Sequence, residues 1–315
     1  MTARLAPAGS PAQGPARNPV RNPALLRALA ARCRPVLLLT PALAVVALTF
    51  GAGALSTLAQ SLGHQPYLPG SRLGLDAYRA LWTDPAVRAS LGITLRVAVV
   101  STTVATVLGV ATALLLRRVT RGRAALTSVL TANLAVPHLV GAVSMLLLLS
   151  DTGLVSRVGR AVGLWPDPRS FPALVGDSFG WGIIAEYVWK ETPFLCLVAL
   201  VALSRDVAAL EDAARTLGAT RWQRLWHVTL PVIAPTVLAG SVLVLAFAAG
   251  SYEVPLLLGR PFPATLPVVS YQHFRDTDLS QRPTAMAVAV VIAVLGAAAV
   301  AAYLRLTARL SRERA

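Results

Sequence analysis

Six apolar runs constrain this chain more than any other feature of its sequence. They cover residues 35–58, 90–116, 124–149, 181–203, 231–258 and 284–306. Each is close to the ~20 residues that an α-helix needs to cross the hydrocarbon core of a bilayer. Backbone N–H and C=O groups find no water there, so each run must satisfy its own hydrogen bonds as a helix. The expected fold is therefore all-α: a polytopic membrane protein with six transmembrane helices. Composition agrees. Of 315 residues, 55% are hydrophobic and 14% charged, whereas soluble domains carry about 25% charged residues. Mean hydropathy is +0.63. Prolines 137, 193 and 235 interrupt three of the runs, which transmembrane helices tolerate when neighbours satisfy the freed backbone groups.

The stretch before the first run, residues 1–34, holds six Arg, no acid and repeated Pro and Ala. It reads as a disordered basic tail. Run 35–58 exceeds the ~7–15 residues of a signal-peptide core. It reads as an anchored first helix, although Ala52-Gly53-Ala54 could pass for a cleavage site.

The net charge of +15 is not spread evenly. With both termini in the cytoplasm, the inside segments 1–34, 117–123, 204–230 and 305–315 carry 18 basic residues and the outside segments 9. That is the positive-inside pattern of a multi-pass protein of a bacterial plasma membrane. A nucleic-acid surface would gather its arginines on one soluble face, so no nucleic-acid partner is expected.

Little in the chain suggests chemistry. The single lysine, Lys190, follows no glycine-rich turn, so no phosphate-cradling loop is present. There is no zinc-protease motif and no nucleophile elbow. Cys33 and Cys196 lie far apart and read as ordinary thiols. The four histidines (64, 138, 227 and 273) are scattered and read as surface or packing residues. No catalytic residue, metal site or cofactor is expected on this chain.

The segment 204–230, between the fourth and fifth runs, is the informative one. Val207, Leu210, Ala214 and Leu217 recur at helical spacing and give an apolar face. Ser204 or Asp206 can cap the start, and Gly218 suits the left-handed position that ends a helix. Thr220 and Gln223 have capping-box spacing for a second short helix bearing Trp222, Leu225 and Trp226. Pro231 suits the first turn of the next span. On these grounds alone the segment is a helix–glycine–helix unit at the membrane surface, either an ordinary interfacial pair or a docking element.

The spacing then becomes specific. Asp212-Ala213-Ala214 is followed by three residues and Gly218, then nine residues, Val228, one residue and Leu230-Pro231. This resembles the signature of permease subunits of binding-protein-dependent ABC importers, Glu-Ala-Ala, three residues, Gly, nine residues, Ile, one residue, Leu-Pro. Asp212 stands in place of Glu and Val228 in place of Ile, and neighbouring Glu211 could supply the carboxylate instead. The resemblance extends over about residues 90–303. It implies that the loop docks on a separate ATPase subunit, with Glu211, Asp212, Ala213, Ala214, Leu217, Gly218, Leu230 and Pro231 as the docking residues. It also implies an ATPase dimer holding ATP and Mg, a second permease subunit that is identical or different, and an extracytoplasmic substrate-binding protein.

Two softer resemblances, Trp189–Phe194 and Tyr252–Gly259, point toward polyamine and iron permeases, hence a small solute such as a polyamine or an iron complex. Glu186, Lys190, Glu191, Tyr252 and Glu253 lie in or beside apolar runs, where ionisable groups default to a pathway role. Glu186 and Lys190 are also four apart and could simply pair on one helix face. The competing function class is an ion-driven secondary transporter, which would show broken helices in matching halves; no convincing internal repeat is visible.

Overall fold

A computed structural model describes residues 23–65, 72–167, 170–203 and 205–312. All regular structure among them is helical. The first unit runs to Leu55 and consists of most of α1 (Pro23–Ser61). Its apolar side chains, among them Leu38, Leu48 and Phe50, are exposed, as a lipid-facing helix requires. The helix begins at Pro23, so residues 23–34 are helical rather than disordered. The prolines of the tail thin out there, and Ala, Leu and Arg are good helix formers. The rest of the expected tail lies outside the described residues.

The second unit, Ser56–Ala315, carries the remaining elements. α2 (Asp76–Thr83) leads into α3 (Pro85–Leu116), which starts five residues before the expected span. Asp84 accepts a hydrogen bond from the Ala86 amide at 2.8 Å, and Pro85 fills the first turn. The third run is not one helix. α4 (Arg123–Ala135) and α5 (His138–Leu149) are separated at Val136-Pro137, and α6 (Leu154–Ala161) follows. α7 (Trp181–Ala202) matches its expected run, and Asp177 fixes its start by accepting from the amides of Phe179, Gly180 and Trp181.

α8 (Arg205–Thr216) is bent 65° from α7. α9 (Arg221–Arg224) runs through a π-helical turn, Leu225–Thr229, directly into α10 (Leu230–Gly250). The second short helix expected in the loop is thus the start of the fifth span, because the π-helical turn at 225–229 carries the helix on to Leu230-Pro231. α10 ends at Ser251, and α11 (Glu253–Leu258) takes up the rest of the run. α12 (Leu266–Arg275) precedes the last helix, α13 (Arg282–Arg312).

Among the described residues, five stretches are long and apolar enough to cross a membrane: 38–61, 85–116, 138–161, 221–250 and 279–308. A sixth arises if α7 and α8 are taken as one bent span. The third stretch shares 138–149 with the expected 124–149 and runs on to 161. α7 holds Glu186, Lys190 and Glu191, the most charge of any run.

The core is built on α3 against α7. Ala98, Ala105, Gly109 and Ala113 form a stripe of small buried residues on α3. Lipid tails give helices no hydrophobic reason to associate, so close backbone approach through small residues supplies the attraction. A Cβ at Gly109 would sit 2.8 Å from Leu195 Cβ and 3.0 Å from the Cys196 amide nitrogen. Cys196 is buried at this contact. Thr106 and Ser241 hydroxyls, 2.9 Å apart, join α3 to α10, and the Tyr303 hydroxyl donates to the Pro235 carbonyl at 3.0 Å to join α13 to α10.

Gly109→Leu is expected to destabilise the detergent-solubilised protein by about 1–3 kcal/mol, the usual range for an overpacked core. A thermal melt checks it.

Candidate functional site

Two polar constructions stand out among the described residues. One surrounds the segment between α7 and α10. The other is buried where α4, α5 and α7 meet.

In the first, α8 divides its residues between two faces. Val207 is buried, and Glu211 and Ala214 follow it at i+4 and i+7. Glu211 faces inward. Arg117, at the C-terminus of α3, donates through Nη2 to both its carboxylate oxygens, at 2.9 and 3.0 Å. The Thr229 hydroxyl donates to the same carboxylate, and Thr229 is itself buried in the π-helical turn. One carboxylate therefore ties α8 to α3 and to the start of α10. Charge-assisted bonds of this kind are about twice as strong as neutral ones.

The opposite face is open. Asp212, Ala213 and Leu210 are exposed, and Leu217 is 88% exposed. Gly218 ends the element at φ +86°, in the left-handed region. Thr220 then caps α9: its hydroxyl accepts from the Gln223 amide at 3.3 Å, while Gln223 Oε1 accepts from the Thr220 amide at 2.8 Å. Trp222, 71% exposed, and Trp226 project beyond it. Leu230 and Pro231 are half-buried at the root of α10. Ser204, one of the two expected caps of α8, lies outside the described residues; Asp206 is in the first turn. The two acids that the sequence left interchangeable are thus distinct. Glu211 is committed inside the chain, and Asp212 faces out.

The second construction starts from proline. Pro137 has no N–H, and at the break the Asn133 carbonyl keeps a tightened-turn partner, the Val136 amide at 3.1 Å, with room for a second donor. Lys190, only 3% exposed, donates from Nζ to the Asn133 carbonyl at 2.5 Å. The pairing of Lys190 with Glu186 allowed by their spacing is not formed, because the ammonium is drawn to this carbonyl instead. Glu186, fully buried, turns to His138, whose Nδ1 lies 3.5 Å from Glu186 Oε1. Nε2 of the same ring lies 3.6 Å from Glu191 Oε1. The imidazole packs against Phe247 of α10 with centroids 4.6 Å apart and the rings tilted by 40°. Glycine makes room: a Cβ at Gly141 would meet Glu186 Oε1 at 2.8 Å.

His138 is the residue that sequence reading missed, having passed it over as one of four scattered histidines. Its only visible signal was its place directly after Pro137 inside an apolar run. Tyr252 and Glu253 lie apart from this cluster, at the α10–α11 break. Tyr252 stacks on Tyr271 at 5.1 Å and lines a cleft of about 360 Å³ with Ser270 and Phe274; Glu253 is half-buried.

Residues 105–312 match the sequence family described as "Binding-protein-dependent transport system inner membrane component". The chain is 31% identical over 249 residues to the Escherichia coli inner membrane ABC transporter permease protein YnjC. That alignment takes in 74% of this chain but 44% of YnjC, so the chain spans less than half of that relative. It is 27% identical over 241 residues to the E. coli putrescine transport system permease protein PotI, covering 75% of this chain and 78% of PotI. In fold it resembles a chain of a bacterial ABC transporter involved in import of the acidic polysaccharide alginate. That likeness has a TM-score of 0.72 at 22% identity and covers 90% of this chain and 99% of the other.

The buried cluster brings two carboxylates, the Lys190 ammonium and the His138 ring together. Lys190→Met is expected to destabilise by about 3–5 kcal/mol, the effect of breaking a buried ionic arrangement on one side. Lys190→Met combined with Glu186→Gln should recover part of that loss. Thermal melts of the single and double variants check both.

Proposed function

We propose a division of labour from one premise: this chain belongs to the family of binding-protein-dependent transport system inner membrane components, and is a permease subunit of an ABC importer. The membrane helices of unit two form one wall of a translocation pathway, and a second permease subunit, identical or different, forms the other. A soluble binding protein delivers the solute on the face opposite α8. A pair of cytoplasmic ATPase subunits binds ATP and Mg and drives the cycle. Both termini and α8 then lie on the cytoplasmic side of a bacterial plasma membrane, in keeping with the clustering of arginines on that side.

One observation carries the coupling role. The open face of α8, with Asp212, Ala213 and Leu217, rests on a back face fixed by Val207 and by the Glu211–Arg117–Thr229 contact. A docked partner pushing on α8 therefore moves α3 and α10 with it, rather than bending a loose connector. Small Ala213 permits close approach, and exposed Asp212 is the carboxylate free to pair with a basic residue of the ATPase. Coupling of this kind needs two global states that the partner's nucleotide cycle favours differently.

Of the ionisable residues considered for the pathway, Glu186, Lys190 and Glu191 serve here as the framework that holds the α4–α5 break against α7. Tyr252 and Glu253 remain as the candidates to meet the solute, and a half-buried acid beside two stacked tyrosines suits a cation. The likeness to a putrescine permease supports a polyamine, and an iron complex is the other small solute that the sequence resemblance implies.

The test is co-purification from native membranes in mild detergent. An ATP-binding subunit should accompany the chain and be lost when Asp212, Ala213 and Ala214 are replaced together by Lys, Leu and Leu. Recovery of the chain alone would overturn the docking role. Gly218→Val places a β-branched residue in the left-handed region, at a cost of about 1–2 kcal/mol, and has open space for its side chain. It should lower ATP-driven uptake severalfold while leaving the melting temperature of the spans nearly unchanged. Full uptake by this variant counts against the rigid α8–Gly218–α9 geometry as the coupling element.

A further inference from the structure

A cleft of about 630 Å³ opens between the end of α3, the inner face of α8 and the start of α9. Four arginines line it: Arg117, Arg118, Arg221 and Arg224. Its single acid, Glu211, is already engaged by Arg117 and Thr229. Arg224 is held in place by donating from Nη1 to the Ala219 carbonyl at 3.1 Å. Among the described residues, Arg118 and Arg221 are exposed and make no ion pair. The cleft thus presents two anchored guanidiniums and two exposed ones without an ion pair, four positive charges against the one of Glu211.

Four guanidiniums facing one hollow repel each other unless an anion sits among them. Arginine's planar fork matches the oxygens of a phosphate better than a point charge does. The cleft also lies at a membrane boundary. α3 leaves its apolar run at Leu116, one residue before Arg117, and Leu115 just beneath is exposed in the manner of a lipid-facing side chain. Leu114 and Leu225 give the cleft an apolar wall, and exposed Trp222 stands at its rim. A tryptophan there suits the headgroup level, with its ring among apolar groups and its N–H among polar ones.

We propose that this cleft binds a phosphate group, with Arg118 and Arg221 closing on its oxygens and Arg117 and Arg224 setting the frame. The apolar wall and Trp222 favour the phosphate of an anionic lipid headgroup over free phosphate. The site is separate from the open face of α8 and does not depend on what that face docks. Occupied, it places a lipid beside the carboxylate that ties α8 to α3.

The experiment uses the full chain purified in mild detergent. Native mass spectrometry measures retained lipid after equal exposure to phosphatidylglycerol and phosphatidylcholine. Wild type should retain phosphatidylglycerol in about tenfold preference or more, given the attraction of each basic residue near an anionic surface. Arg118→Gln/Arg221→Gln should abolish that preference, and Arg118→Lys/Arg221→Lys should keep part of it. In a second arm, inorganic phosphate is added to delipidated protein. A rise in melting temperature that is absent from the Gln pair, without any lipid preference, assigns the site to free phosphate and keeps the phosphate chemistry. Equal behaviour of wild type and the Gln pair in both arms overturns the proposal. So does a Gln pair that retains lipid normally but no longer co-purifies with the ATP-binding subunit, because the arginines then serve a protein partner. If the Gln pair fails to fold, Arg118→Gln alone, read against Arg118→Lys, decides by the same criteria.

Discussion

The contact on which much of this structure depends is that between the Lys190 ammonium and the Asn133 carbonyl. A proline in an apolar run normally produces a kink, since the neighbouring turns still share most of their hydrogen bonds. Here the helix stops and restarts at Val136-Pro137, and the Asn133 carbonyl, which accepts from the Val136 amide at 3.1 Å, takes the Lys190 ammonium as a second donor. Lys190 is the sole lysine of the chain. A cation so placed requires compensating charge, and the two carboxylates of α7 lie on the same helix. His138 completes the arrangement by facing both of them from the first turn of α5. Break, cation, acids and imidazole thus meet in one place, where among the described residues both Glu186 carboxylate oxygens have no hydrogen-bond donor.

The same reasoning separates the two acids of the segment after α7. Glu211 and Asp212 are adjacent and chemically alike, yet successive helical residues point about 100° apart. One is turned to Arg117 and the other to solvent. A family signature read along the sequence records only that an acid precedes two alanines. The geometry gives the two neighbours different work: Glu211 stiffens the base on which α8 stands, and Asp212 is available to something outside the chain.

Most of the architecture was legible in the sequence for one reason. Apolar length and helical periodicity are local properties, and the membrane enforces them without help from distant residues. The runs later found as α3, α7, α10 and α13 could be read for that reason, and so could Gly218 and the Thr220–Gln223 capping box, whose chemistry spans a few residues. Three features were not legible. The division of the third run brings a second donor to its broken end, and that donor, Lys190, is 57 residues away in sequence. His138 looked ordinary because both its carboxylate partners come from another helix. The fusion of α9 with α10 depends on a π-helical turn that accommodates Thr229 inside, with its hydroxyl on Glu211. In each case a long-range polar contact decided the outcome, and apolar pattern carries no record of such contacts.

The placement of charge also bears on how movement can pass through the molecule. α3 meets α7 through a stripe of alanines and Gly109, a surface with little interlocking relief but very close approach. Such an interface resists separation, because the dispersion gained at short range falls steeply with distance. α8, by contrast, is bent 65° from α7 and held to α3 and α10 by one carboxylate. The stiff pair α3–α7 and the tethered element α8 therefore differ in kind. A load on α8 meets the Glu211 contact first, and reaches the α3–α7 pair through Arg117 at the very end of α3. Arg117, one residue beyond the apolar run, joins the surface element to the membrane core beside the packing of buried Val207 against Leu116 and Ile233.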